Sequence, residues 1–260
     1  SVKGLMDFRD HLKINIMQPK MLNSTKVKKW QKQLSNGQIL NEISSLLMLK
    51  DFGIPVSDPV FVDSEESLVT SVINLNYPLV LKTANVNILH KTEHNGVILD
   101  INNLEDLIEK YHDMKDRLGP DVIVTEMAPI GVEMILGARR DPQFGPVIIL
   151  GFGGILAEAL EDIAFALPPF DDLWAKKLIS GLRLHKLLYG YRKNPAVAVN
   201  QFCNLAANFS QMVYALRKEL KEIDINPIIV CEDQCIAVDA LCIGQDKEEI
   251  LNENGNTRKL

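Results

Sequence analysis

The chain switches repeatedly between two hydrophobic periods, and this alternation limits its fold more than any other feature. Leu104, Leu107, Ile108, Tyr111, Met114 and Leu118 recur at helical spacing and stop at Gly119-Pro120, so a helix buries one face and ends there. Phe202, Leu205, Ala206, Phe209, Met212, Val213 and Leu216 form a second stripe of the same kind. Ile39, Leu40, Ile43, Leu46, Leu47 and Lys50 predict a further helix, closed by Gly53 with Pro55 just beyond. The apolar runs Pro78–Leu81, Val97–Leu99, Val122–Val124, Glu133–Leu136 and Pro146–Leu150 are too short for helices and read as strands. Ile223–Val230 and Cys235–Val238 read as a hairpin around Glu232-Asp233-Gln234. Strands with interposed helices on both sides of residue 126 predict an α+β protein of two lobes, 38–125 and 126–244. A lysine-rich linker, 1–37, is expected before them, and a polar tail, 245–260, after them.

Composition removes several classes of function. Of 260 residues, 47% are apolar and 24% charged, which excludes a disordered or fibrous chain. The formal charge is 28 − 34 = −6, so no cationic field is available for general capture of nucleic acid. No apolar run approaches the roughly 18 to 20 residues that span a bilayer. With no signal peptide either, a soluble cytoplasmic protein is expected. The chain opens on Ser1 rather than Met, so it is expected to be part of a longer polypeptide. The four cysteines read as small buried hydrophobes rather than a disulfide framework.

Three segments carry candidate chemistry. Asp224 and Asn226 are two apart on a strand and point the same way, and the next strand could bring Asp239 beside them. Two carboxylates and an amide suit Mg²⁺, which prefers hard oxygens; the same residues also suit a plain turn. Lys82 ends an apolar strand and His90-Lys91-Thr92-Glu93-His94-Asn95-Gly96 follows. Two lysines beside a polar turn with free backbone N–H groups make a phosphate cradle, or an ordinary hairpin. Gly151-Phe152-Gly153-Gly154 allows close backbone approach to an anion or simply a tight turn, and it is not a complete dinucleotide fingerprint.

Taken in order, these pieces resemble the ATP-grasp domain of ADP-forming acyl-CoA synthetases, relatives of the nucleotide-binding subunit of succinyl-CoA synthetase. The resemblance runs from about Asn41 to Ile243. It is carried by Phe52-Gly53-Ile54-Pro55-Val56, Leu81-Lys82, the His90 to Val97 segment and Arg140-Asp141-Pro142-Gln143-Phe144-Gly145-Pro146. It continues through Gly151 to Gly154, Asp162-Ile163-Ala164-Phe165, Gly190-Tyr191-Arg192, Asp224-Ile225-Asn226-Pro227 and Ala237-Val238-Asp239-Ala240. Gly4 to Leu12 is similar to the helix that leads out of CoA-binding domains in fused members.

The resemblance implies a two-lobed ATP-grasp fold, with antiparallel sheets and packed helices gripping ATP or ADP. Lys82 and Lys91 would meet phosphates, and the loop at Asn95 and Gly96 would close over them. Glu126, Met127 and Ala128 would lie along adenine, and Glu133 near the ribose. Asp224, Asn226 and Asp239 would hold Mg²⁺. His90 would accept the phosphoryl group, a role that suits the neutral nitrogen of imidazole. The implied partners are CoA-binding domains of the same polypeptide or another subunit, a small carboxylic acid and CoA, with homo-oligomers also open. The chain departs from the family pattern at Asn95, Glu161, Ala166 and Lys193. Those departures admit two alternatives: a non-catalytic nucleotide-sensing module of an acetyltransferase-type fusion, and a structural scaffold that binds no nucleotide.

Overall fold

Among the described residues, the strands form two separate sheets, each packed on its own hydrophobic core. In the computed structural model, the structure describes residues 22–246 apart from 86, 87, 89, 90, 92, 93, 155–159, 193 and 194. The strands are β1 (Ile39–Leu40), β2 (Val60–Val62), β3 (Leu79–Thr83), β4 (Val97–Ile101), β5 (Val122–Glu126), β6 (Val132–Asp141), β7 (Gly145–Phe152), β8 (Ile163–Ala166), β9 (Leu220–Val230), β10 (Cys235–Ala237) and β11 (Ala240–Gly244). The helices are α1 (Ser24–Leu34), α2 (Glu42–Asp51), α3 (Glu65–Ser71), α4 (Leu104–Leu118), α5 (Asp172–Ser180) and α6 (Val199–Ala215), with a 3-10 turn at His185–Tyr189.

The smaller sheet runs β2-β5-β3-β4 and the larger β1-β11-β9-β6-β7-β8, with β10 also paired to β9. Every pair between these strands is antiparallel. Leu79, Leu81, Val122 and Val124 point to one face of the smaller sheet, where they meet Leu107, Tyr111 and Met114 of α4. Along β9, Ile223, Ile225, Ile228 and Val230 point into the larger core, where Phe202, Phe209 and Met212 of α6 and Ile179 of α5 also lie. The opposite edge of the β9 alternation, carrying Glu222, Asp224 and Asn226, is left for the cleft between the lobes.

The expected division of the chain needs two corrections. The first concerns the linker at 1–37. Its residues 24–34 form α1, whose Trp30 and Leu34 are 1% and 0% exposed in the larger core. Trp30 also donates from Nε1 to Asp51 Oδ2 at 2.9 Å. The second concerns the start of the first lobe at residue 38. Ile39 and Leu40 pair with Ile243 and Cys242 as an edge strand of the larger sheet, and Leu46, Met48 and Leu49 of α2 pack into the larger core. Ala237 then bonds to the chain on both sides of Val56, accepting from Ser57 N and donating to Pro55 O, each at 3.0 Å. The smaller lobe therefore begins only at β2, and residues before it belong to the larger body.

Among the described residues no helix is long and apolar enough to cross a membrane. All four cysteines are free and buried, as small core hydrophobes.

Candidate functional site

Lys82 occupies a strand position from which a long cation is carried across the gap between the lobes. Its neighbours Leu79 and Leu81 turn into the smaller core, so Lys82 faces the larger body, 5% exposed. A buried ammonium needs anionic partners. Its Nζ donates to Glu42 Oε1 at 2.8 Å and to the Val238 carbonyl at 2.6 Å, and stands 4.0 Å from Asp239 Oδ2. Lys91 donates to the other Glu42 oxygen and lies 3.5 Å from Asp239 Oδ2. The two lysines come from the smaller lobe, the two carboxylates from the larger body. Burial alone would pull the Lys91 ammonium down, yet the charges of Asp239 and Glu42 outweigh it and hold the group above its ordinary range.

The register of the larger sheet decides where the remaining acids go. Ala240 is opposite Ile225 and Ala237 opposite Ile228, so the break between β10 and β11 falls beside Asn226 and Pro227. Val238 N closes this junction by donating to Pro227 O at 3.2 Å. Asp239 thereby emerges next to the β9 face that carries Asp224 and Asn226. Asp224 is opposite Gly137 of β6, so no side chain from that strand crowds the carboxylate. Burial pushes the Asp224 carboxyl above its ordinary value, and the charges of Glu222 and Asp239 add to the rise. Burial likewise raises Asp239, against the pull of Lys82.

Among the described residues no three His, Cys, Asp or Glu side chains gather as a metal cluster. The expected set contains only two carboxylates, and its third member is the Asn226 amide. Asp224, whose proton affinity the Asp239 charge raises, forms with Asp239 and the neutral amide oxygen a hard-oxygen donor set that a divalent cation would relieve. The residues present fit Mg²⁺.

The other expected residues divide by what their side chains already do. Asn95 takes a φ of 50°, a conformation Asn tolerates better than most residues. At Gly96 a Cβ would sit 2.8 Å from Thr83 Cγ2 and 3.0 Å from the Lys91 carbonyl, so only glycine lets the turn close against β3. Thr83 N donates to Gly96 O at 2.8 Å, which ties this turn to the strand end that carries Lys82. Glu126 spends its Oε1 on the backbone and side-chain nitrogens of Asn76, each at 2.9 Å; Met127 N donates to Pro78 O at 2.9 Å. Ala128 follows on the crossing back to the larger body. Glu133 lies beneath the glycine-rich turn: its carbonyl accepts from Gly153 N at 2.8 Å, and Gly154 turns over its carboxylate at a φ of 79°. His90 lies outside the described residues.

Glu42 was not anticipated from sequence. An acid in a first helical turn is what the helix dipole favours anyway, so nothing in the local pattern distinguishes it. The clue was the need itself: two lysines facing a cleft require an anion, and α2 supplies one. Asp162, in one of the segments that carry the resemblance, has a structural task. It is 4% exposed and accepts from the backbone of Arg183 and Leu184, both at 2.8 Å.

Comparison with known proteins gives the family and the fold. The ATP-grasp domain family matches residues 32–243. The chain is 34% identical over 221 residues to the beta subunit of ADP-forming acetate–CoA ligase I of Pyrococcus furiosus, covering 82% of this chain and 95% of that one. It is 33% identical over 195 residues to the ADP-forming 4-hydroxybutyrate–CoA ligase of Nitrosopumilus maritimus, covering 71% of this chain but 28% of that longer protein. Among solved structures it resembles the dinucleotide-forming acetyl-coenzyme A synthetase 1 of Candidatus Korarchaeum cryptofilum, with a TM-score of 0.76 and 28% identity over 86% of this chain and 100% of that chain. Another structure of that enzyme holds coenzyme A and Mg-AMPPCP, with a phosphohistidine segment pointing towards the nucleotide-binding site; it gives a TM-score of 0.72 at 27% identity, over 85% of this chain and 99% of that chain.

Proposed function

Because the chain belongs to the ATP-grasp family, we propose that it is the ATP-binding portion of an ADP-forming acyl-CoA synthetase. It serves the interconversion of acid, CoA and ATP with acyl-CoA, ADP and phosphate. The observation that carries this reading is the cluster of Lys82, Lys91, Glu42 and Asp239, in which cations from one lobe face acids from the other. A triphosphate entering the cleft meets two ammonium groups that are already desolvated, so their attraction for phosphate is less screened than at a surface. Asn95 and Gly96 present the turn that closes over the phosphates, and Glu126, Met127 and Ala128 line the crossing between lobes where adenine would lie. Glu133, beneath the glycine-rich turn, serves the ribose hydroxyls.

Asp224, Asn226 and Asp239 would hold Mg²⁺, which when bound neutralises charge on the phosphate oxygens. His90 is the phosphoryl acceptor. A ring nitrogen bonds to the γ-phosphorus as the bond to the β–γ bridging oxygen breaks, and ADP leaves with that oxygen's electron pair. Turnover requires CoA-binding domains on the same polypeptide or a partner subunit, in keeping with the beta-subunit relative from Pyrococcus furiosus. The nucleotide-sensing alternative finds no support among these relatives, which carry the names of enzymes.

Thermal melting tests the reading directly. Mg·ATP at about a hundred times its Kd stabilises the chain by about 2.7 kcal/mol. ATP without metal gives less, and Asp239→Ala abolishes the difference between the two. No rise in melting temperature with Mg·ATP would leave only the scaffold reading. Rapid quench with γ-labelled ATP, in the presence of the CoA-binding portion, is expected to give an acid-labile label on His90; an unlabelled His90 removes it from the relay.

A further inference from the structure

Among the described residues, Glu42 is the most deeply buried acid of the cleft, with 5% of its side chain exposed, and each of its carboxylate oxygens is taken by a different lysine. Its place is rigid for three reasons. It stands in the first turn of α2, where the helix dipole favours negative charge. That turn is capped by Asn41, whose side chain accepts from Ser44 N at 2.8 Å. The same helix is locked into the larger core by Leu46, Met48 and Leu49. Asp239 contrasts with it at each point: its side chain is 32% exposed, and it stands 3.5 and 4.0 Å from the two ammonium groups.

From this contrast we infer that Glu42 is a positioning residue for the phosphate end of the nucleotide, a fixed carboxylate that holds Lys82 and Lys91 as a pair. Asp239 is the partner that exchanges when phosphate and metal enter. Two ammonium groups brought together without an anion repel one another and withdraw toward water. With one carboxylate bonded to both, they stay side by side and retain one net positive charge for phosphate. Because Glu42 belongs to the larger body and the lysines to the smaller lobe, the same contact sets how the lobes face each other.

This inference rests on the nucleotide-binding reading, and the test separates the two. The Kd for Mg·ATP is measured by calorimetry and that for adenosine by ligand-observed NMR, on the 260-residue chain and on Glu42→Gln. Loss of the buried charge weakens Mg·ATP by about tenfold or more and leaves adenosine within about twofold, because only phosphates meet the lysines. Glu42→Asp keeps the charge but retracts it by one methylene, so an intermediate loss is expected, and this variant serves if Glu42→Gln does not fold. Lys91→Met costs less in the Glu42→Gln background than in the wild type, since the two act as a unit.

Tighter binding of Mg·ATP by Glu42→Gln would overturn the inference, because the carboxylate would then be a competitor for the lysines. Equal losses for ATP and adenosine would overturn it as well, as damage to the whole cleft. So would additive effects of the two substitutions. A wild-type chain that binds no Mg·ATP would instead sink the nucleotide reading, and this inference with it.

Discussion

Asp224 is unfavourable for the fold and, in the proposed Mg²⁺ site, useful for binding. Burial disfavours its charge and raises its carboxyl above the ordinary value, and the charges of Glu222 and Asp239 add to the rise. A raised native pKa means the folded state binds more protons, so the stability contributed by this group falls as pH rises through the window above the ordinary carboxylate value. At neutral pH the charge is a net cost. Asp224→Asn is therefore expected to raise the melting temperature of the free chain while removing part of the Mg²⁺-dependent stabilisation by ATP. A lower melting temperature would show that the charge is compensated. The thiols follow the same sign: burial pushes Cys203 up to about 11 and Cys235 and Cys242 up to about 12. The native chain at pH 8 should show no fast reaction with Ellman's reagent, and four equivalents on unfolding; fast native labelling would contradict the burial of these side chains.

At the scale of elements, capping explains both what was readable and what was misread. Helix α4 is announced by its apolar stripe, by Glu105 and Asp106 in its first turn and by Gly119 at its end. Asn103 accepts from Asp106 N at 2.9 Å, and Asn103→Ala should cost about 1 kcal/mol in urea denaturation. The predicted helix through Ile39 and Leu40 ran two residues too far because both fit its period. The stop signal was Asn41, whose side chain caps Ser44 N and leaves the preceding pair free to join a sheet. Helix α1 was hidden by its lysines, although Val27, Trp30 and Leu34 share one face at helical spacing. Trp30→Ala should cost about 3–5 kcal/mol; a cost below about 1 kcal/mol would mean that this helix is an unattached arm after all.

At the scale of the molecule, the described residues form two cores that meet through a charged cleft rather than through a continuous hydrophobic interior. Such an arrangement allows the lobes different local stabilities. Hydrogen exchange in low denaturant should release the amides of β3, β4 and β5 before those of β6 and β9, and Mg·ATP should slow both sets; identical opening free energies would mark a single cooperative unit. The sequence by itself determined most of the local elements, since period, caps and turn residues act over a few positions. The α+β class and the ordered set of segments that carry the family resemblance were readable for the same reason. Only the tertiary structure decided that residues before β2 belong to the larger body, and that Asp239 emerges beside Asn226 at a break in strand pairing. It alone joined Glu42 to Lys82 and Lys91 across 40 and 49 positions. Contacts of that kind depend on where two lobes come to face each other, and burial and charge pairing between distant segments leave no periodic trace in the chain.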